Sequence, residues 1–296
     1  MKRLSIIIVT YNSGKDIYDC IASIQKHTDI PLEEIELIVV DNNSPSGDIM
    51  FKKLEKQYGK DIILIKNTHN GGYGQGNNVG IKKATAPIIL IMNPDVRLIE
   101  PIFKKPTEAF EKDKTLSVYG IKQMLTADTP SHSSFTCTYM MNGYVNTLLT
   151  GLCVRLNWYI PRYMYVSGSC FYIRKSTFEK IGLFDESIFM YGEEDDIRYR
   201  LRQNGYKKMK YDPDLHYIHL IKDRQPDLAY ELRLVDVAVR QNEKKSYPVQ
   251  KTIKNRIRSA RILLMRERLR MIMKGKKDTA LYCMLKNYIS ILKTRL

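Results

Sequence analysis

The stretch IILIMNPDVRL, residues 88–98, is an apolar run that stops abruptly at Asn93-Pro94-Asp95. Its apolar side chains leave no polar face, so it reads as a strand buried on both sides. Three earlier runs share this character: LSIIIVT at 4–10, ELIVVD at 36–41 and IILIKN at 62–67, with the fourth strand placed at 87–92. Helical patterns near 14–27, 48–58 and 74–84 separate them. Doubly buried strands alternating with helices predict an α/β fold with a mostly parallel sheet covered on both faces. In such sheets ligands bind beyond the carboxyl ends of the strands.

The residues just past those ends are Thr10-Tyr11-Asn12, Asp41-Asn42-Asn43-Ser44, Asn67 to Asn78, and Asn93-Pro94-Asp95. One polar cluster of this kind is ordinary turn chemistry. Four at one sheet edge, two of them delivering an aspartate, point to a binding site. The glycine-rich part of the third cluster follows the third strand, whereas a dinucleotide fingerprint would follow the first.

At 296 residues and 44% hydrophobic content the chain can bury a real core. The apolar start after MKR is too short for a secretory leader, and no stretch reaches the roughly 18 apolar residues of a membrane span, so a cytoplasmic protein is expected. Five scattered cysteines without a C-x-x-C pair fit neither a disulfide framework nor a zinc site.

Beyond residue 100 a helix is expected at 101–112, then a Tyr- and Met-rich stretch to 165 that reads either as a lid or binding loop or as an unrecognised helical region. VSGSCFYIR (166–174) reads as one strand, with Ser176 and Glu179 spaced as a capping box for a following helix. EEDDIRYRLRQN then opens a helix on Glu193, Glu194, Asp195 and Asp196 and closes before Gly205. Acids at a helix N-terminus complement its dipole, which accounts for one or two of them. Four, placed just after an aromatic loop, also suggest chemistry.

In order and spacing, IIIVTYN (6–12), ELIVVDNNSPSG (36–47), NGGYGQGNNVGIKKA (70–84), ILIMNPDV (89–96), SGSCFYIRKSTFEKIGLFDE (167–186) and YGEEDDIRYRLRQNGY (191–206) resemble inverting family 2 glycosyltransferases of GT-A fold, notably the rhamnosyltransferase-like bacterial branch. The resemblance covers roughly residues 4 to 220. It implies a nucleotide-diphosphate sugar donor, a glycan or polyprenol-linked saccharide acceptor, and Mg²⁺ or Mn²⁺ on the diphosphate. Asp95 takes the position of the last, metal-binding acid of the family's D-x-D, and Asn93 replaces its first acid, near the ribose or diphosphate. Asp41 matches the acid that hydrogen-bonds the base or ribose. Thr10 and Tyr11 match the strand edge beside the base, and Asn78 lies in the stretch that approaches the donor.

On the acceptor side, the family's E-D-x-D or E-E-x-D motif supplies the base that takes the proton of the attacking hydroxyl. Laid on YGEEDDIRYR, it puts the acidic pair at Glu193 and Glu194, with the base at Glu194 and Asp196 the next candidate. Gly168 and Ser169 match the wall around the donor sugar. His219 matches a histidine near the diphosphate, a further metal ligand, with His216 its rival; Lys222 or Arg224 could neutralise phosphate charge. The resemblance implies a transferase domain over 1–225, split near residue 100 into nucleotide and acceptor halves, and a basic helical extension over 226–296.

Charge singles out that extension. Residues 244–296 hold 16 Lys+Arg against 2 Asp+Glu, whereas the rest of the chain is nearly neutral. Val249, Ile253, Ile257 and Leu264 recur near helical spacing among these bases. The pattern reads as helices packed on the body with solvated basic faces, or as an anchor on the anionic inner face of the cell membrane. No nucleic-acid motif accompanies the charge. Two other functions fit parts of the pattern. A sugar nucleotidyltransferase would carry a glycine- and Lys/Arg-rich loop after its first strand, and TYNSGKDI has a single glycine. A non-catalytic sugar-nucleotide or glycan-binding module would have no need of the acids at 193–196.

Overall fold

The computed structural model describes residues 1–138, 140–220 and 226–296. Its elements are β1 (Leu4–Thr10), α1 (Asp16–Lys26), β2 (Ile35–Asp41), α2 (Gly47–Tyr58), β3 (Ile62–Lys66), α3 (Gly72–Lys83), β4 (Ile88–Met92), β5 (Val96–Leu98), α4 (Lys104–Lys112), β6 (Leu116–Met124), β7 (Phe135–Cys137), α5 (Gly143–Arg155), β8 (Met164–Val166), β9 (Cys170–Arg174), α6 (Lys175–Lys180), α7 (Glu193–Gln203), β10 (Lys208–His219), α8 (Leu228–Lys244), α9 (Val249–Met273) and α10 (Ala280–Thr294). They form two compact units, Met1–Thr136 with Tyr159–Ile221, and Cys137–Trp158 with Lys222–Leu296.

The first unit is built on an eight-stranded sheet in the order β3-β2-β1-β4-β9-β6-β10-β5. Strands β1 to β4 run parallel, as their continuous apolar runs predict. Alternation along each run divides it between two cores: Ile6, Ile8, Leu90 and Met92 join the core under α1 and α2, and Ile7, Ile89 and Ile91 the core on the opposite face.

Three features depart from the sequence expectation. VSGSCFYIR is not one strand: it breaks at Ser167-Gly168-Ser169, between β8 and β9. Strand β9 then runs antiparallel between β4 and β6, pairing Cys170 with Met92 and Arg174 with Ile88. The 167–169 loop therefore arrives at the carboxyl edge of β4, where Asn93 N–H donates to Ser169 O at 2.8 Å. Ser176 is not a cap, because α6 starts one residue earlier and its N-cap, Arg174, makes no side-chain capping bond. The 126–165 stretch is neither one irregular lid nor wholly helical: it holds β7, α5 and the start of β8, so the helical alternative is met only over Gly143–Arg155.

Strand β10 runs parallel to β6, which carries its last residue, His219, to the same edge. Strand β5 pairs antiparallel with the end of β10, setting Val96 opposite His219. This explains the abrupt stop at Asn93-Pro94-Asp95. The chain leaves the centre of the sheet there and crosses to its far edge, and Asp95 lies at the crossing.

In the second unit, Val235 of α8, Ile253, Ile257 and Ala260 of α9, and Leu285, Tyr288, Ile289 and Leu292 of α10 form a separate core. The apolar positions that the sequence offered as a membrane-facing stripe are thus engaged between helices. Among the described residues no helix is long and apolar enough to cross a membrane.

Candidate active site

At the β1–β2 edge, Thr10 and Asp41 are fully buried. Thr10 Oγ1 donates to Asp41 Oδ1 at 3.1 Å, and Ser44 donates its hydroxyl to Oδ1 at 2.6 Å and its N–H to Oδ2 at 2.9 Å. Asp41 therefore braces the turn into α2. Tyr11 stands at the rim, 49% exposed. Asn78 is buried in α3 and its amide clamps the 184–186 loop: it accepts from Phe184 N–H and donates to Phe184 O and Glu186 Oε1.

At the middle of the edge, Asp95 Oδ1 lies 3.2 Å from His219 Nε2. That oxygen is buried and makes no hydrogen bond. A divalent ion with bonds of about 2.1 Å and near-octahedral geometry holds adjacent donors about 3 Å apart, so this pair has the chemistry and the separation of two ligands on one cation. Among the described residues no three His, Cys, Asp or Glu side chains form a complete metal cage, so remaining ligands would come from diphosphate oxygens and water. His216, the rival, is engaged instead with Glu100, its Nδ1 2.8 Å from Oε1. Lys222 and Arg224 lie outside the described residues.

The Gly168 peptide organises the loop between β8 and β9. Its carbonyl accepts from Tyr73 Oη at 2.6 Å, and its Cα lies so close to the Glu194 carboxylate that a side chain there would strike Oε1. Ser169 Oγ lies 2.8 Å from Tyr217 Oη and 3.3 Å from Gln123 Oε1, in a buried network that fixes the loop. Tyr191 and Gly192 both have positive φ, 74° and 95°, which turns the chain sharply into α7 and aims its first residues.

The four acids separate into two kinds. Asp195 lies 3.1 Å from Arg198 and Asp196 2.6 Å from Arg200, so both are neutralised along the helix. Glu193 and Glu194 have no such cation among the described residues, and Glu193 Oε1 is buried without a hydrogen bond. Burial, then the charge of Glu194, pushes the Glu193 carboxyl well above its ordinary range; burial also raises Glu194, partly offset by its backbone hydrogen bonds. The two titrate as a pair.

The glycosyl transferase family 2 profile matches residues 5–182, more than half of the chain. The chain belongs to that family. Among curated relatives it is 30% identical over 206 residues to the low-salt glycan biosynthesis hexosyltransferase Agl10 of Haloferax volcanii, a match covering 68% of this chain and 62% of the relative's length. It is 25% identical over 250 residues to the N-acetylglucosaminyl-diphospho-decaprenol L-rhamnosyltransferase of Mycobacterium tuberculosis, covering 73% and 75% of the two chains. Among solved structures it resembles the mannosyltransferase PcManGT of Pyrobaculum calidifontis, determined with GDP-Man and Mn²⁺, at a TM-score of 0.64 and 15% identity over 99% of this chain and 86% of the other. The shared fold is GT-A.

This family 2 chain thus gathers Asn93, Asp95, His219, Gly168 and Ser169 at one sheet edge, with the Glu194 carboxylate packed against the same loop. Tyr73, Gln123 and Tyr217 belong to the site's frame but were not singled out from the sequence. Tyr73 carried a signal, since it is the aromatic within the glycine run; Gln123 and Tyr217 sit inside β6 and β10 and carried none.

Proposed function

We propose that this chain is an inverting glycosyltransferase that moves a sugar from a nucleotide-diphosphate donor to a hydroxyl of a glycan or lipid-linked saccharide. The carrying observation is that the Asp95–His219 pair and the uncompensated Glu193–Glu194 pair both adjoin the 167–169 loop region of one sheet edge. A non-catalytic binding module would gain nothing from burying two unneutralised carboxylates, an arrangement that is costly unless it serves chemistry.

In this reading Asp95 and His219 hold Mg²⁺ or Mn²⁺, which neutralises charge on the departing diphosphate. Tyr11 and Asn93 face the nucleotide, while Thr10 and Asp41 support the turn beneath it and Asn78 anchors the loop beside it. Glu194 takes the acceptor hydroxyl's proton as that oxygen bonds to the anomeric carbon and the bond to the diphosphate oxygen breaks. Gly168 lies against the carboxylate and limits its position, and burial keeps its proton affinity high enough for a base near neutral pH. Asp196, neutralised by Arg200, serves the helix rather than the proton. The relatives' names, a glycan-biosynthesis hexosyltransferase and a transferase whose name specifies a diphospho-decaprenol, support a saccharide or polyprenol-linked acceptor. The basic extension is proposed to contact the anionic inner face of the cell membrane, where such acceptors reside.

The test is turnover with GDP-, UDP- and dTDP-sugars and Mn²⁺ on saccharide and polyprenol-linked acceptors, with the product anomer read by proton NMR. An inverted anomer that disappears in Glu194→Gln supports the reading; a retained anomer overturns it.

A further inference from the structure

Helix α5, GYVNTLLTGLCVR, is apolar all round and so cannot hide all its apolar surface against one neighbour. It buries Gly143, Cys153 and Val154, and Gly143 packs so closely on α9 that a side chain there would strike the Asn255 backbone. The other side exposes Tyr144, Val145, Leu148, Leu152 and Leu156 at helical spacing, followed by Trp158, each 36–59% exposed. Residues 129–178 contain no Asp or Glu. Beside the start of α5 a cavity is lined by Asn142, Tyr247, Asn255 and three bases of α9, Lys251, Lys254 and Arg258. Among the described residues none of the three bases is paired with an acid. Further along the same face of α9, Arg261 reaches Tyr144 Oη at 3.3 Å, and Met265, Leu269 and Ile272 are exposed.

We propose that the outer face of α5, with the adjoining basic cavity of α9, is the surface by which this unit docks on an anionic phospholipid bilayer. The inference sharpens the membrane contact proposed above and moves its apolar part from the tail helices to α5. Contiguous apolar surface of this kind marks an interaction site. Its chemistry selects a bilayer: aliphatic side chains for the acyl boundary, Trp158 and Tyr144 for the headgroup level, and unpaired Lys and Arg for lipid phosphates.

Trp158 is the sole tryptophan and serves as a built-in reporter. The full chain would be mixed with vesicles of phosphatidylcholine alone or with phosphatidylglycerol, following sedimentation, Trp158 emission and quenching by brominated acyl chains. The expected result is salt-sensitive binding to anionic vesicles with a blue shift and quenching. Leu148→Asp/Leu152→Asp, at exposed positions, should lower vesicle partitioning by about 100-fold with unchanged helicity. Lys251→Glu/Lys254→Glu should abolish the preference for the anionic lipid. Anionic binding that survives the leucine substitutions with unshifted Trp158 emission would overturn the α5 assignment while leaving a charge-only membrane contact. No vesicle binding would overturn both. Dimerisation in buffer that is lost in the leucine variant would assign the face to a second copy and also overturn the proposal.

Discussion

Gly168 leaves no room for a side chain beside Glu194: a Cβ at that position would collide with the Glu194 carboxylate. One glycine thus both admits the proposed base and limits its position. Gly168→Ala should fold with nearly unchanged Tm but lose about 100-fold in turnover, the scale of a base displaced by an ångström. Steady-state kinetics beside a melting curve checks this.

Glu194→Gln should lower turnover by about 10²- to 10⁴-fold while leaving nucleotide affinity nearly intact. Asp196→Asn should stay within a few-fold of wild type in turnover and lose about 1–3 kcal/mol of stability, because its partner is Arg200 rather than substrate. Equal kinetic losses in the two variants would argue against this division of the acids.

Because burial raises both the Glu193 and Glu194 carboxyls, and the charge of Glu194 raises Glu193 further, the acid limb of the turnover profile should lie above the ordinary glutamate value of 4.5. The same shift sets the sign of the stability effect. Groups that hold protons more tightly when folded contribute stability that is full below about pH 4.5 and is lost as pH rises through the raised values. Glu193→Gln should therefore raise Tm at pH 7–8, by about 2–4 °C per kcal/mol relieved, with the gain vanishing below pH 4.5. Melting curves of both proteins across that range decide it.

Tyr73→Phe removes the hydroxyl held by the Gly168 carbonyl, 2.6 Å away, without changing the ring's packing against Phe184. A loss of about 0.5–1.5 kcal/mol in stability is expected. Turnover should fall through looser placement of Glu194, with donor KM little changed.

The β1–β4 half of the sheet was legible because each strand there is an uninterrupted apolar run ended by polar residues; the bounds of β1 match the sequence reading, and those of β2, β3 and β4 lie within one residue of it. The joining of the two halves was not. The direction of β9 depends on which strands flank it, and nothing in CFYIR encodes that; yet this direction brings Ser169 to Asn93. Helix α5 stayed one of two open readings because its exposed leucines erase the periodicity that marks an amphipathic helix. The four acids were visible as a cluster, but their division rests on Arg198 lying one turn after Asp195 and Arg200 one turn after Asp196, which leaves Glu193 and Glu194 without a cation among the described residues. Thr10, Asp41 and Asn78 are expected as donor contacts; their polar atoms also hold turns and loops, a role that sequence spacing does not carry.

The central claim is that Asp95 and His219 bind a metal–diphosphate next to a base that plays no part in that binding. A thermal-shift panel of UDP, GDP, dTDP and CMP, with and without Mg²⁺ or Mn²⁺, tests it on wild type, Asp95→Ala, His219→Ala and Glu194→Gln. The account predicts metal-enhanced stabilisation by a diphosphate nucleotide in wild type and Glu194→Gln, lost in Asp95→Ala and weakened in His219→Ala. Equal stabilisation in Asp95→Ala, or no response of wild type to any diphosphate with metal, would contradict it.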